Sequence, residues 1–377
     1  MRKQRISRAI RNTREASQSS SRRPHPGPPL ACAIAGRRVR ASVFGRWLAV
    51  MTVKRSVERK RRWRRLGRGK TLFGSLASVS LLVMPAVAAE FPLAAKQTAV
   101  GAIEISVTRE PDTLMDLGRQ YDLGFTQLMA ANHGVNPWNP GNGQPVIVPN
   151  FYLLPDAPRS GIVINLAEQR LYYFPPGKKV VETFPIGIGV QGASTPIGTT
   201  RIVAKQTNPV WYPPASIHEE RPDLPPFIPA GPDNPLGTYA FRLGWPSYLI
   251  HGTNKPDGVG RNVSHGCMHL YPEDIERLFH EIPVGTPVRV VKQDVKAAWI
   301  GDELFVEIHP TKDQGDELAI DNTMTPTAPP ENLDARVTEA AGDRADRIDW
   351  LTVRQVGLER TGIPTQVTIR GAPASPR

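Results

Sequence analysis

The sequence predicts a mainly β protein: a β sandwich or barrel of short strands, preceded by a small β-α-α-β unit. Three observations carry this. From residue 160 onward, β-branched and aromatic runs recur at short spacing and are broken by Gly and Pro. Within that region, up to residue 292, only residues 272–279 read as a helix. Ahead of it, residues 103–149 alternate as a strand, show helical spacing twice, and alternate again.

The elements follow in order. Ile105 and Val107 alternate as the first strand. Asp112-Thr113-Leu114 caps a helix that sets Leu114, Leu117 and Tyr121 on one face. Residues 126–132 place Leu128 and Met129 inward, and Gly141-Asn142-Gly143 turns the chain into a last strand over 146–149. Residues 150–159 are stiffened by proline and predict a linker. Strands are expected at 161–166, 170–174, 180–189, 199–205, 239–243, 248–251 and 287–292. Pro272 with Glu273 and Asp274 behind it suits a helix start.

Residues 207–235 hold nine prolines, with Trp211, Tyr212 and Phe227 among them. Such a segment is no central strand, and its length suits a semi-rigid lid over a site. Beyond residue 310 the chain turns acidic and Pro/Thr-rich, with one helix expected over 334–359. No chemistry is legible in this extension, 311–377.

The formal charge of +12 is misleading. Residues 1–89 hold 22 Lys+Arg against Glu15 and Glu58. Taken from the chain's 47 and 35, that leaves 25 basic and 33 acidic residues. The basic run feeds straight into an apolar one, residues 72–84, followed by Pro85-Ala86-Val87-Ala88-Ala89. A basic region, an apolar region and small residues at −3 and −1 form the pattern of a secretory signal, with cleavage expected near 88–90. The apolar run is short for a membrane span of ~20 residues. Nucleic acid is therefore not an expected partner. Met51 offers an alternative start, since residues 1–50 add only a Pro/Arg/Ser-rich stretch.

The chemistry centres on Ser264-His265-Gly266-Cys267, which follows His251-Gly252 and places Cys267 sixteen residues after His251. Cys32 lies upstream of the expected signal, so the exported chain keeps Cys267 as its single cysteine. A thiol kept in an oxidising compartment, close to histidines, is best explained if it does chemistry. His251 ends the apolar strand Tyr248-Leu249-Ile250, and a Gly-rich loop turns the chain back toward Cys267. An imidazole in reach takes the thiol proton and later hands it to a leaving amine. Gly252 and Gly266 let backbone approach a substrate closely, and the amides around His265, Gly266 and Cys267 can converge on an oxyanion. A zinc site built from His251, His265, Cys267 and His269 is the rival reading, but paired-cysteine spacing is missing. A cysteine peptidase of the common wall-cleaving type places Cys before His in sequence, the reverse of the order here.

With its His-Gly, loop, Ser-His-Gly-Cys motif, the chain resembles an L,D-transpeptidase catalytic domain of the YkuD type over about 159–293. Thr195-Pro196-x-Gly198 and Asn234-Pro235-Leu236-Gly237 also look like family segments. The resemblance implies that Cys267 is the nucleophile and His251 the base. It also implies that the Gly252 carbonyl orients the imidazole, while His265 and Gly266 shape the oxyanion site. Ser264, Gly260, Trp211 and His269 are the expected substrate-contacting positions. The family often carries Arg where His269 stands, which puts a side-chain contact there in doubt. No metal and no cofactor is expected.

The unit at 103–149 resembles LysM, a small glycan-binding module, through Asp112, Thr113, Leu114, Leu128, Asn132 and the 146–149 strand. It departs at Pro111 and at Leu117-Gly118. The whole arrangement is similar to periplasmic enzymes that attach the major outer-membrane lipoprotein to peptidoglycan. That similarity implies a stem tetrapeptide as acyl donor and a C-terminal lysine of a lipoprotein as acceptor. A 3-3 cross-linking enzyme, an L,D-carboxypeptidase on the same fold and a non-catalytic wall-binding protein are the alternatives.

Overall fold

The computed structural model describes residues 89–189, 195–264 and 266–369. The expected basic extension and apolar signal run lie outside these residues up to position 88, and so does His265. No helix among the described residues is long and apolar enough to cross a membrane.

The first unit has the expected strand, helix, helix, strand order. Ala99–Val107 pairs antiparallel with Pro145–Leu153 in unbroken register. Helices Leu114–Gln120 and Phe125–Ala131 stand between them in sequence. The Thr113 hydroxyl accepts from the Asp116 N–H, and the Asp116 carboxylate accepts from the Thr113 N–H. Two otherwise orphaned donors are thereby satisfied reciprocally, which fixes the helix start. Leu114, Leu117, Leu128 and Met129 close over Val146 and Val148 in a small core. The last strand runs to Leu153, four residues past the expected end, so the linker is shorter than 150–159. Tyr152 and Leu153 are buried, and the Arg170 guanidinium lies 4.3 Å from the Tyr152 ring centre. That burial keeps the chain extended.

The second unit is a curled nine-stranded sheet. Its order is Ala89–Pro92, Val180–Pro185, Arg170–Phe174, Gly161–Asn165, Pro287–Val291, Gly198–Thr207, Tyr239–Leu243, Leu249–His251 and Met268–His269. Two pairings are parallel: Pro287–Val291 with Gly161–Asn165, and Leu249–His251 with Met268–His269. Ile162, Leu171 and Phe184 from one half share a core with Ile202, Phe241 and Ile250 from the other. Helix Pro272–Glu281 lays Ile275 and Leu278 into the same core. The mainly β expectation is met, as a curled sheet around this core, while Val163, Tyr172, Phe174 and Val181 on the other face of its strands pack with Val100, Tyr152 and Leu154.

The C-terminal extension is a folded third unit that begins at Val295, ahead of the expected boundary. Hairpin Val295–Ile300 and Glu303–Ile308 is joined by Thr365–Gln366 and covered by Leu333–Ala341 and Trp350–Glu359. The single helix expected over 334–359 is broken. Gly342 at φ 54° ends the first helix, and the Asp349 carboxylate accepts from the N–H groups of Leu351 and Thr352 to start the next. Helix Lys312–Ile320 reaches back and buries Leu318 in the core of the first unit.

A buried ionic cluster ties the units together. Lys296 Nζ lies 2.6 Å from Glu168 Oε2 and 2.8 Å from Glu307 Oε1. His309 Nε2 is 2.7 Å from the same Glu307 oxygen. The Leu153 N–H donates to Glu307, and the Tyr172 hydroxyl donates to Glu168. Burial works against the charged Glu307, but Lys296 and His309 hold its carboxyl below the ordinary value.

Candidate active site

Strand alternation builds the site. Ile250 pairs with Met268 and His251 with His269 in parallel register. Ile250 and Met268 are wholly buried in the core, so residues 249, 251, 267 and 269 face the opposite side of the sheet. Cys267, one residue ahead of the strand, falls level with Leu249 and on the face that carries His251 and His269. A one-residue slip would turn the thiol into the core.

His251 is buried, and its Nδ1 lies 2.5 Å from the Gly252 carbonyl oxygen. A carbonyl only accepts, so this contact holds the ring proton on Nδ1 and leaves Nε2 as the acceptor. Burial pushes the imidazole pKa down to about 3, with His269 adding to the shift and the Gly252 carbonyl opposing it. His251 is therefore neutral across the physiological range. Its ring centre is 6.1 Å from that of His269, with 28° between the planes.

Cys267 is half-buried, with Sγ 3.6 Å from the Ser247 carbonyl oxygen. Burial raises the thiol pKa above its ordinary value, and the backbone at Leu249 acts in the opposite direction. Burial thus favours the protonated thiol and the neutral imidazole, so proton transfer from Cys267 to His251 has to accompany attack.

Glycine geometry surrounds this pair. Gly266 has φ 102°, a left-handed conformation that a side chain disfavours. The buried Thr195 hydroxyl donates to the Gly266 carbonyl at 3.0 Å, tying the Thr195-Pro196 segment to the cysteine loop. Gly187 and His269 exchange backbone hydrogen bonds of 2.8 and 3.0 Å. A Cβ on Gly187 would stand 2.1 Å from the His269 ring, so only glycine fits. Sequence reading gave no sign of Gly187, since its partner is 82 residues away.

The remaining expected positions separate. His269 is buried against Gly187 and beside His251, and burial pushes its pKa down. That placement orients His251 instead of presenting a side chain to solvent. Gly260 packs on the first unit: the Phe125 N–H donates to the Val259 carbonyl at 3.0 Å and the Thr126 N–H to the Gly260 carbonyl at 3.1 Å. Ser264 lies on strand Asn262–Ser264, opposite Gly189. Trp211 is half-buried and bridges Ile228 through two backbone hydrogen bonds.

Asn234, wholly buried, pins the base of the Pro-rich segment. Its Nδ2 donates to the Pro209, Ile228 and Pro229 carbonyls, and its Oδ1 accepts from the Leu236 N–H. Among the described residues, Glu168, Glu307 and His309 come close enough together to share a metal ion. The Lys296 ammonium already sits between the two carboxylates.

Comparison with known proteins agrees with this geometry. The L,D-transpeptidase catalytic domain, YkuD, matches residues 159–290. The probable L,D-transpeptidase YbiS of Escherichia coli K12 is 41% identical over 249 residues, 64% of this chain and 81% of that one. YcfS of the same strain, also a probable L,D-transpeptidase, is 41% identical over 256 residues, 65% and 80% of the two chains. ErfK/SrfK of Salmonella typhimurium LT2, another, is 37% identical over 262 residues, 68% and 82%. Each of these matches is longer than the catalytic domain itself, so the likeness extends beyond the curled sheet. A thiol and a buried imidazole on one sheet face, inside a domain matched in this way, place the chain in the L,D-transpeptidase family as an enzyme of that class.

Proposed function

We propose that this enzyme exchanges amide bonds in peptidoglycan peptides through a Cys267 acyl-enzyme, and that it works in the periplasm. The observation that carries the reading is the neutral His251 imidazole, its proton held on Nδ1 by Gly252, on the sheet face that bears Cys267. As Cys267 Sγ attacks the carbonyl carbon between meso-diaminopimelate and D-alanine, its proton passes to His251 Nε2. The carbonyl oxygen takes up negative charge, which backbone N–H groups at Gly266 and Cys267 stabilise. The C–N bond breaks, and the D-alanine amine leaves with the proton from His251. An acceptor amine then attacks the thioester and gives a proton to His251, the C–S bond breaks, and His251 returns that proton to the Cys267 sulfur. One amide replaces another, so no nucleotide energy is needed.

A lipoprotein C-terminal lysine is the acceptor favoured here. The Pro-rich segment anchored by Asn234 would shield the thioester from water, and the first unit, as a LysM-like module, would hold the enzyme on glycan. Aminolysis in water needs a positioned amine at high effective concentration. Export rests on the basic and apolar runs ahead of residue 89. The test is to incubate the mature enzyme with a tetrapeptide muropeptide and a lysine-ended peptide. A conjugate through the diaminopimelate carboxyl supports the reading. Free tripeptide alone would make it an L,D-carboxypeptidase, and a diaminopimelate dimer a 3-3 cross-linking enzyme.

A further inference from the structure

A cavity of about 310 Å³ opens where the three units meet. Thr126 and Gln127 line it from the first unit, Thr195 and Asn262 from the catalytic sheet, and His309 and Arg360 from the C-terminal unit. Thr195 is the residue whose hydroxyl holds the Gly266 carbonyl, so the cavity adjoins the cysteine loop.

Arg360 is its unusual member. The residue is 8% exposed, yet it makes no ion pair among the described residues. Nη2 donates to the Ala328 carbonyl at 2.8 Å, while the buried Nε has no hydrogen-bond partner among the described residues. Asp294, also in the lining, acts on it from beyond ion-pair distance, and burial lowers its pKa. A guanidinium with a buried, unpaired Nε and no paired carboxylate is costly to desolvate, and an anion would offset that cost.

The backbone makes the same point independently. Arg360 caps helix Trp350–Glu359 at φ 44° and ψ 42°, where glycine is ordinarily favoured. A long side chain at such a position costs backbone energy, and outliers of this kind cluster at binding sites.

The other cations are accounted for or solvated: Lys312 pairs with Asp316, and Lys292 is exposed. Glu168 also lines the cavity, with Oε2 held by Lys296 and Tyr172, while its buried Oε1 has no hydrogen-bond partner among the described residues. A ligand with both a carboxylate and an N–H suits a guanidinium and a carboxylate lining one cavity, and a peptide has both.

We propose that this cavity is a peptide-carboxylate site, with Arg360 of the C-terminal unit taking the carboxylate and Glu168 an N–H of the same ligand. The C-terminal unit thereby completes a substrate site that the catalytic sheet lacks by itself. The inference rests on the peptide-transfer reading above for the kind of peptide that reaches it. Two sources carry that chemistry: a side carboxylate of the donor stem peptide, and the terminal carboxylate of a lysine-ended acceptor.

The experiment measures binding to the full mature chain carrying Cys267→Ala, so that no acyl transfer is needed. Calorimetry compares a tetrapeptide muropeptide with its carboxamide form, and a lysine-ended peptide with its C-terminal amide. Removing the carboxylate on the arm that uses the cavity weakens binding by about ten-fold or more, as expected for a charge-assisted hydrogen bond. Arg360→Gly in the same background suits the left-handed cap, so it folds while the acid-over-amide preference vanishes. The arm that loses its preference identifies the source. Equal binding of acid and amide on both arms, or a preference that survives Arg360→Gly, overturns the proposal. Failure of the acyl-enzyme reading shows separately, as absence of a Cys267 adduct by intact mass in the wild-type chain.

Discussion

His251 and His269 stand opposite each other in parallel register, their ring centres 6.1 Å apart. Two desolvated imidazoles this close cannot both take a proton, and burial has already pushed His251 down to about 3. His251 is thus kept ready to accept a proton, and His269 is the group that packs it in place.

Cys267→Ala should remove acyl-enzyme formation, lowering turnover by roughly 10³-fold or more. The melting temperature should stay near wild type, because the side chain is half-buried at a site and small. Intact mass after exposure to a carbapenem checks this: wild type gains the drug mass at Cys267 and the variant does not. Transpeptidation by Cys267→Ala would rule out the thiol mechanism.

His251→Ala should slow acylation by about 10²- to 10⁴-fold. The wild-type pH profile carries further information. Because the folded His251 pKa is depressed, its base form is full above about 3. The acylation rate should therefore be flat from pH 5.5 to 8, and it should not rise with the midpoint near 6.5 of an ordinary histidine. A rise centred there, lost in the variant, would show that His251 titrates normally.

Gly187→Ala places a methyl group 2.1 Å from the His269 ring. The ring or the strand has to move, at a cost of ~1–3 kcal/mol. We expect a lower melting temperature together with slower acylation, since His269 packs beside His251. Unchanged acylation would mean that the pair is not mechanically linked.

Gly260→Ala tests the docking of the first unit. Gly260 has φ 79°, and an added Cβ would sit 2.3 Å from the Phe125 nitrogen. Strain and the loss of two inter-unit hydrogen bonds should cost about 2–4 kcal/mol. Hydrogen exchange at Phe125 and Thr126 should quicken. The same loop links His251 to Cys267, so activity should fall with it.

Lys296→Met leaves the buried Glu168 and Glu307 carboxylates without their shared cation. Breaking such a cluster from one side costs about 3–5 kcal/mol. Denaturant unfolding measures this, and a triple change that also replaces both acids with Gln should recover much of the loss.

The sequence by itself determined the strand-rich class and the order of the first unit, and it singled out the candidate pair His251 and Cys267. Alternation at 161–166, 170–174 and 239–243 has a period of two that each strand carries in its own residues. His251-Gly252 and Ser264-His265-Gly266-Cys267 lie close in the chain, so a short loop unites them, and the Nδ1 contact of His251 with its neighbour Gly252 is local. Where contacts are distant, the tertiary structure decided. Gly187 is glycine because of His269, and Thr195 matters because of Gly266. Burial pushes the Cys267 pKa up and the His251 pKa down, and that burial comes from a sheet whose strands are drawn from across 180 residues of chain. Beyond residue 310 the sequence shows only an acidic, Pro/Thr-rich stretch, since the hairpin Val295–Ile300 and Glu303–Ile308 is covered by helices distant in the chain and the helix break depends on Gly342 and Asp349 together. Arg360 reads in the sequence as one more surface cation. Only packing of three units around one cavity makes it a buried charge, because desolvation belongs to the surroundings and not to the residue.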